Sequence, residues 1–181
     1  MVLCTSLYVP DIDLFASRLN FQTSVCFMVP GSRSLSSRWL FFLRREFKTY
    51  NLPPFSLLGR ILTKLKVEEV SDALVIAPWW LTAHWYPPLL QVLVQRPILR
   101  PQCYELLTLP QEDCLHPLKD VMRLAAWHVS GITYRSEEFL QGQPAMCSSH
   151  GVHGQKSSTQ RLGNAFVAGV KGNREILFKQ I

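Results

Sequence analysis

Ala73-Leu74-Val75-Ile76-Ala77 is an unbroken apolar run ended by Pro78. A run this short, apolar at every position, reads as a strand buried on both faces, as in a parallel sheet covered by helices. Just upstream, Leu58, Ile61, Leu62 and Leu65 recur at i, i+3, i+4 and i+7, so residues 57–66 read as a helix with one apolar face. Lys64 and Lys66 in its last turn suit the negative end of the helix dipole. Residues 12–16 read as a short strand, and Ser17-Arg18-Leu19-Asn20 as the loop that leaves it. Pro53-Pro54 forces a rigid, extended turn. Further on, residues 88–93 read as a short helix, 97–101 as a turn and 104–109 as a strand. Residues 119–129 read as a helix, with Val121, Leu124, Ala125 and His128 on one side and Gly131 as its stop. Strands alternating with helices predict an α/β fold with a small, partly parallel sheet and flanking helices.

Twelve prolines favour short elements joined by fixed turns. Residues 73–95 carry no Asp, Glu, Lys or Arg, yet Pro78, Pro87 and Pro88 interrupt them. A buried strand, a loop and a short helix therefore fit that segment better than a membrane span. The first residues lack a basic start followed by an apolar core, so no signal peptide is expected. A cytoplasmic or nuclear protein, not a secreted one, is the expectation. After Gly131 the apolar periodicity fades into Gly, Ser, Gln and His. Residues 1–131 read as one domain and 132–181 as a linker or poorly ordered tail, with a stray strand at 176–178.

The net charge is +6, and it is uneven. Arg33, Arg38, Arg44, Arg45, Lys48, Arg60, Lys64 and Lys66 are opposed over their span only by Glu46. Such a stretch suits salt-dependent contact with DNA or RNA phosphates, and Arg38, Arg44, Arg45, Lys48, Arg60 and Lys64 are the candidates for it. The bland alternative is a solvated basic surface. Cys4, Cys26, Cys103, Cys114 and Cys147 form no C-x-x-C pair, and no histidine stands at zinc-ligand spacing, so no metal site is expected. His150 and His153 near Cys147 also fit no structural zinc pattern. His84, His116 and His128 lie near apolar runs and read as packed residues. Trp79, Trp80 and Trp85 read first as core and second as base-stacking platforms.

Three stretches carry a resemblance. They are Asp11-Ile12-Asp13-Leu14-Phe15-Ala16-Ser17 with Asn20, Leu52-Pro53-Pro54-Phe55, and Ala73 to Pro78 with Trp79-Trp80 and Trp85-Tyr86. In this order and spacing they resemble the Pol polyprotein of DIRS-like, tyrosine-recombinase retrotransposons. The matching region lies between ribonuclease H and the recombinase and is itself similar to phage-type N6-adenine DNA methyltransferases. The resemblance implies a Rossmann-like methyltransferase-type sheet, here incomplete. It also implies S-adenosylmethionine as the cofactor of a working relative. Asp13, with Ser17 and Asn20, would stand on the cofactor side, and Pro53, Pro54 and Phe55 would form the base-side loop. There a polar residue accepts the adenine amino group while the aromatic ring stacks on the flipped base.

The chain departs from that pattern at Leu52, where a working enzyme has Asn, Asp or Ser. Leucine accepts no hydrogen bond, and Asn51 stands one place too early. The two-metal carboxylate motifs of reverse transcriptase and ribonuclease H are absent, as is the recombinase's Arg-His-Arg-Tyr set. The expectation is therefore a Pol fragment without catalytic residues of its own and with weak nucleic-acid binding. The alternatives are an active N6-adenine methyltransferase and a structural connector between polyprotein domains. Between Thr23 and Thr49 the family pattern fails. Met28 is ATG and Val29 begins with G, so a reading one base later gives Trp at position 28. Gly31 and Arg38 can then both read as Asp, and the family's spacing returns. Two compensating frameshifts, near residues 22–25 and 41–47, explain this, and residues 23–49 are expected to pack poorly.

Overall fold

The computed structural model describes residues 8–15, 47–99, 122–145 and 166–179. Two strands flank the Pro-Pro turn and its helix. They are β2 (Thr49–Asn51) and β3 (Ala73–Pro78), and β1 (Ile12–Asp13) lies on the far side of β2. All three run parallel, with Ile12 beside Thr49 and Thr49 beside Ala73. The expected strand at 12–16 is shorter than its apolar pattern, because the chain turns at Leu14. Residues 49–51 form a strand that no periodicity announces, and Thr49, Tyr50 and Asn51 are all buried.

Helix α1 (Leu58–Val67) follows a 3-10 turn at Phe55–Leu57 and buries the four residues its period singles out: Leu58, Ile61, Leu62 and Leu65. Its end is a Schellman motif. Val70 N–H donates to the Leu65 carbonyl and Glu69 N–H to that of Lys66, with Glu69 at φ 48°. Strand β3 is buried along its whole length, as its sequence requires. Helix α2 (Tyr86–Gln91) begins two residues before the expected 88–93, because Pro87 and Pro88 sit in its first turn, where a missing N–H costs nothing.

Residues 124–129 correct one expectation. They form strand β5 (Leu124–Val129), not the end of a helix. Ala125, Trp127 and Val129 are buried while Leu124, Ala126 and His128 are half-buried, a period of two. Six antiparallel register pairs with β3, from Ala73–Val129 to Pro78–Leu124, hold it there. A second correction is β4 (Ile98–Leu99), a short strand inside the expected turn, antiparallel to β5. The sheet order among the described residues is β1-β2-β3-β5-β4. It is a mixed α/β sheet, parallel on one side.

The chain beyond Gly131 is corrected as well. Helix α3 (Thr133–Gln141) and a hairpin of β6 (Val167–Lys171) and β7 (Arg174–Leu177) replace the expected tail over those residues, and β7 overlaps the stray strand expected at 176–178. Leu140, Ala168, Ile176 and Phe178 join the same core as α1, α2 and the inner face of β3. Gly131 lets the chain after β5 pass close against the end of α1: a Cβ there would lie 1.8 Å from the Leu65 carbonyl oxygen. A smaller apolar cluster of Tyr8, Tyr50, Leu74 and Ile76 covers the other sheet face. The expected strand at 104–109, most of the divergent segment 23–49 and every cysteine lie outside the described residues, as do His116, His150 and His153.

Candidate functional site

Because β1, β2 and β3 are parallel and adjacent, their carboxyl ends open at one edge of the sheet. Ligand sites of open α/β sheets form at such edges. Asp13 ends β1, residues 51–55 leave β2, and Trp79 and Trp80 leave β3. The structure thus brings together Asp13, the Pro53-Pro54-Phe55 loop and the tryptophan stretch. Ser17 and Asn20 lie outside the described residues.

Asp13 is 2% exposed. Its Oδ1 accepts the Phe15 N–H at 3.2 Å, so it shapes the turn that leaves its own strand. Asn51 is fully buried. Its Nδ2 donates to Thr49 Oγ1 at 3.0 Å, with the Leu74 carbonyl at 3.4 Å. Its Oδ1 has no hydrogen-bond partner among the described residues. The amide is therefore turned into the sheet. Leu52 packs against the Tyr8–Tyr50–Leu74–Ile76 cluster.

Pro53 is buried, Pro54 exposed and Phe55 half-buried. The Phe55 ring stands edge-on to Trp80, centroids 5.3 Å apart at 76°. Trp79 stands edge-on to Phe178 at 5.1 Å, and Trp85 is 3% exposed against Tyr86. The bland reading of the tryptophans is the one that fits: all three pack on or within the core. The Tyr86 hydroxyl donates to the Ala168 carbonyl at 2.5 Å. Burial pushes that hydroxyl above the ordinary tyrosine range, and the nearby Trp79 indole pulls weakly the other way. The indole N–H itself is buried without a partner in hydrogen-bond geometry. His84 is exposed above Gly59 and not packed as expected.

Of the basic candidates, Arg38, Arg44 and Arg45 lie outside the described residues. Lys48 is exposed next to β2, where its backbone N–H donates to Asp11 Oδ2 at 2.9 Å. Arg60 and Lys64 sit on the outer side of α1 and line a shallow cleft of about 360 Å³ with Gly59, Thr63 and Val67. Lys64 is paired with Glu68 one turn on. His128 pairs with Asp72 and meets the Tyr8 ring edge-on at 5.0 Å. Asp72 precedes β3, so this pair lies at the opposite edge of the sheet from the candidate site.

Among the described residues no cluster of His, Cys, Asp and Glu is arranged to hold a metal ion. No helix among them is long and apolar enough to cross a membrane. Comparison with protein-family models, curated proteins and solved structures returns no match.

Proposed function

We propose that this chain is a fragment of a DIRS-like retroelement Pol polyprotein. In this reading it is a methyltransferase-like α/β domain that has lost methyl transfer and keeps weak, salt-sensitive nucleic-acid binding. The observation that carries the loss is Leu52. It packs into an apolar cluster where the chemistry needs an acceptor for an amino group. The neighbouring Asn51 amide does not replace it, because its Nδ2 is held by Thr49 inside the sheet. Phe55, the stacking ring of a working relative, rests edge-on against Trp80 instead. The residues on the base side thus do not fit an adenine.

The cofactor side supports a second reading, retained binding of S-adenosylmethionine. Asp13 is a buried carboxylate at the end of a parallel strand, where the resemblance puts it. Calorimetric titration with S-adenosylmethionine, repeated on Asp13→Ala, tests this reading. Equal heats from the two proteins count against it.

The transfer test is direct. The chain is incubated with methyl-tritiated S-adenosylmethionine and adenine-containing DNA, single- and double-stranded. The reading predicts no label in the DNA. Label above the protein-free blank would overturn it.

A further inference from the structure

The β6–β7 hairpin closes through Gly172 and Asn173, with Gly172 at φ 59°. A positive φ at the first central residue suits a two-residue hairpin loop. The closure sets Lys171 directly opposite Arg174. Residues so placed have Cβ atoms about 5 Å apart, and like charges there repel. Among the described residues neither cation is paired with a carboxylate. Both reach backbone carbonyls of glutamines instead. Lys171 Nζ donates to the Gln91 carbonyl at 3.5 Å, and an Arg174 guanidinium N–H donates to that of Gln143 at 2.7 Å.

Each glutamine holds a second cation by its side chain. Lys66 Nζ donates to Gln91 Oε1 at 2.6 Å, and Arg96 Nε–H to Gln143 Oε1 at 3.3 Å. Lys66, Lys171, Arg174 and Arg96 thus form a connected row around the hairpin tip. Burial lowers the Lys171 pKa first, the charge of Lys66 lowers it further, and Glu137 on α3 opposes them. A cleft of about 360 Å³ between α2 and β6 opens beside Lys171, with Tyr86, Leu90 and Val170 in its lining.

This arrangement gives the fold repulsion and no ion pair in return. Neutral amides fix the cations without neutralising them. Each guanidinium uses one N–H on Gln143 and has others to offer. A strung-out row of such donors matches a chain of phosphates better than one isolated anion. We propose that Lys66, Lys171, Arg174 and Arg96 bind successive phosphates of a nucleic-acid strand. The site rests on the nucleic-acid reading above. It shares only Lys66 with the basic stretch of the sequence, and the hairpin cations were not legible there because they lie far along the chain.

The test measures fluorescence anisotropy of a labelled single-stranded oligonucleotide against salt, using the full chain. Lys171→Gln/Arg174→Gln is compared with Arg60→Gln/Lys64→Gln on α1. The proposal predicts that the hairpin variant binds at least roughly tenfold more weakly at low salt. Its log–log salt slope should flatten by about 1.4, at about 0.7 per lost phosphate contact. Its Tm should fall by no more than a few degrees, because relief of the repelling pair offsets part of the loss of two carbonyl donors. Unchanged affinity and slope in that variant, with loss in the α1 variant, would overturn this site and leave nucleic-acid binding standing. A fall in Tm large enough to unfold the hairpin variant at the assay temperature, with binding by Lys66→Gln/Arg96→Gln unchanged, would assign the row a structural role instead and overturn it too. Failure of the unaltered chain to bind any oligonucleotide overturns both readings. In that case, a rise in its Tm with inorganic pyrophosphate would assign the row to a small phosphate.

Discussion

Glu69 holds a left-handed backbone, φ 48°, at the residue after the α1 cap. A side chain in that region costs about 1–2 kcal/mol, and glycine's extra freedom in the unfolded chain returns part of it. Glu69→Gly should therefore raise stability by about 0.5–1 kcal/mol, read as a higher urea midpoint at unchanged slope. A lower midpoint would mean that the glutamate side chain matters more than its backbone. Tyr86 gives a pH dependence. Burial raises its folded pKa, while the unfolded chain releases the phenolic proton near its ordinary value of about 10. Above that value the unfolded state binds fewer protons than the folded one, so stability falls as pH rises. Its contribution is whole below about pH 10 and is lost above it. Tyr86→Phe should flatten that alkaline loss. It should also lower stability near neutral pH by about 1 kcal/mol, because the Ala168 carbonyl loses its donor. Denaturant unfolding of both proteins from pH 8 to 11 checks the two effects together.

At the scale of elements, the legible parts were those with one strong period and a local boundary. Helix α1 is fixed by four leucine and isoleucine positions, and β3 by an apolar run with a proline stop. Strand β5 misled because Leu124, Ala125 and His128 fit a helical face while the alternation of Ala125, Trp127 and Val129 is equally present. Pairing with β3 decided between the two, and no local window contains that pairing. Strand β2 is too short for a period to show. Strand β7 overlaps the stray strand expected at 176–178, but β6 shows no period, because its buried residues, Ala168 and Gly169, are small and far along the chain from their partners. Within the candidate site, the motifs name Asp13 and the Pro-Pro loop, but their common edge comes from the parallel pairing of β1 with β2. The inward turn of Asn51 and the Phe55–Trp80 contact needed the structure. If the hairpin belongs to the core, Phe178→Ala should cost about 3–4 kcal/mol, because that ring packs on both Trp79 and Trp127. A loss below about 1 kcal/mol by chemical denaturation would show the hairpin to be an appendage.

For the whole molecule, one core unites elements on both sides of Gly131, so the described residues behave as one packing unit. That unit surrounds a parallel edge that carries Asp13, the Pro53-Pro54-Phe55 loop and Trp80, with Leu52 packed against an apolar cluster. A domain released from selection for catalysis keeps its core longer than its site, since apolar packing tolerates more substitutions than a reacting geometry does. The proposed descent from a retroelement polyprotein is tested by the genomic DNA across and around this reading frame. That descent requires reverse-transcriptase and ribonuclease H coding upstream. It also predicts a Trp-x-Pro-Asp and Asp-Gly-Phe peptide one base out of frame over residues 23–49. An intact frame flanked by unrelated host exons, with no family-like peptide in any shifted frame, would contradict it.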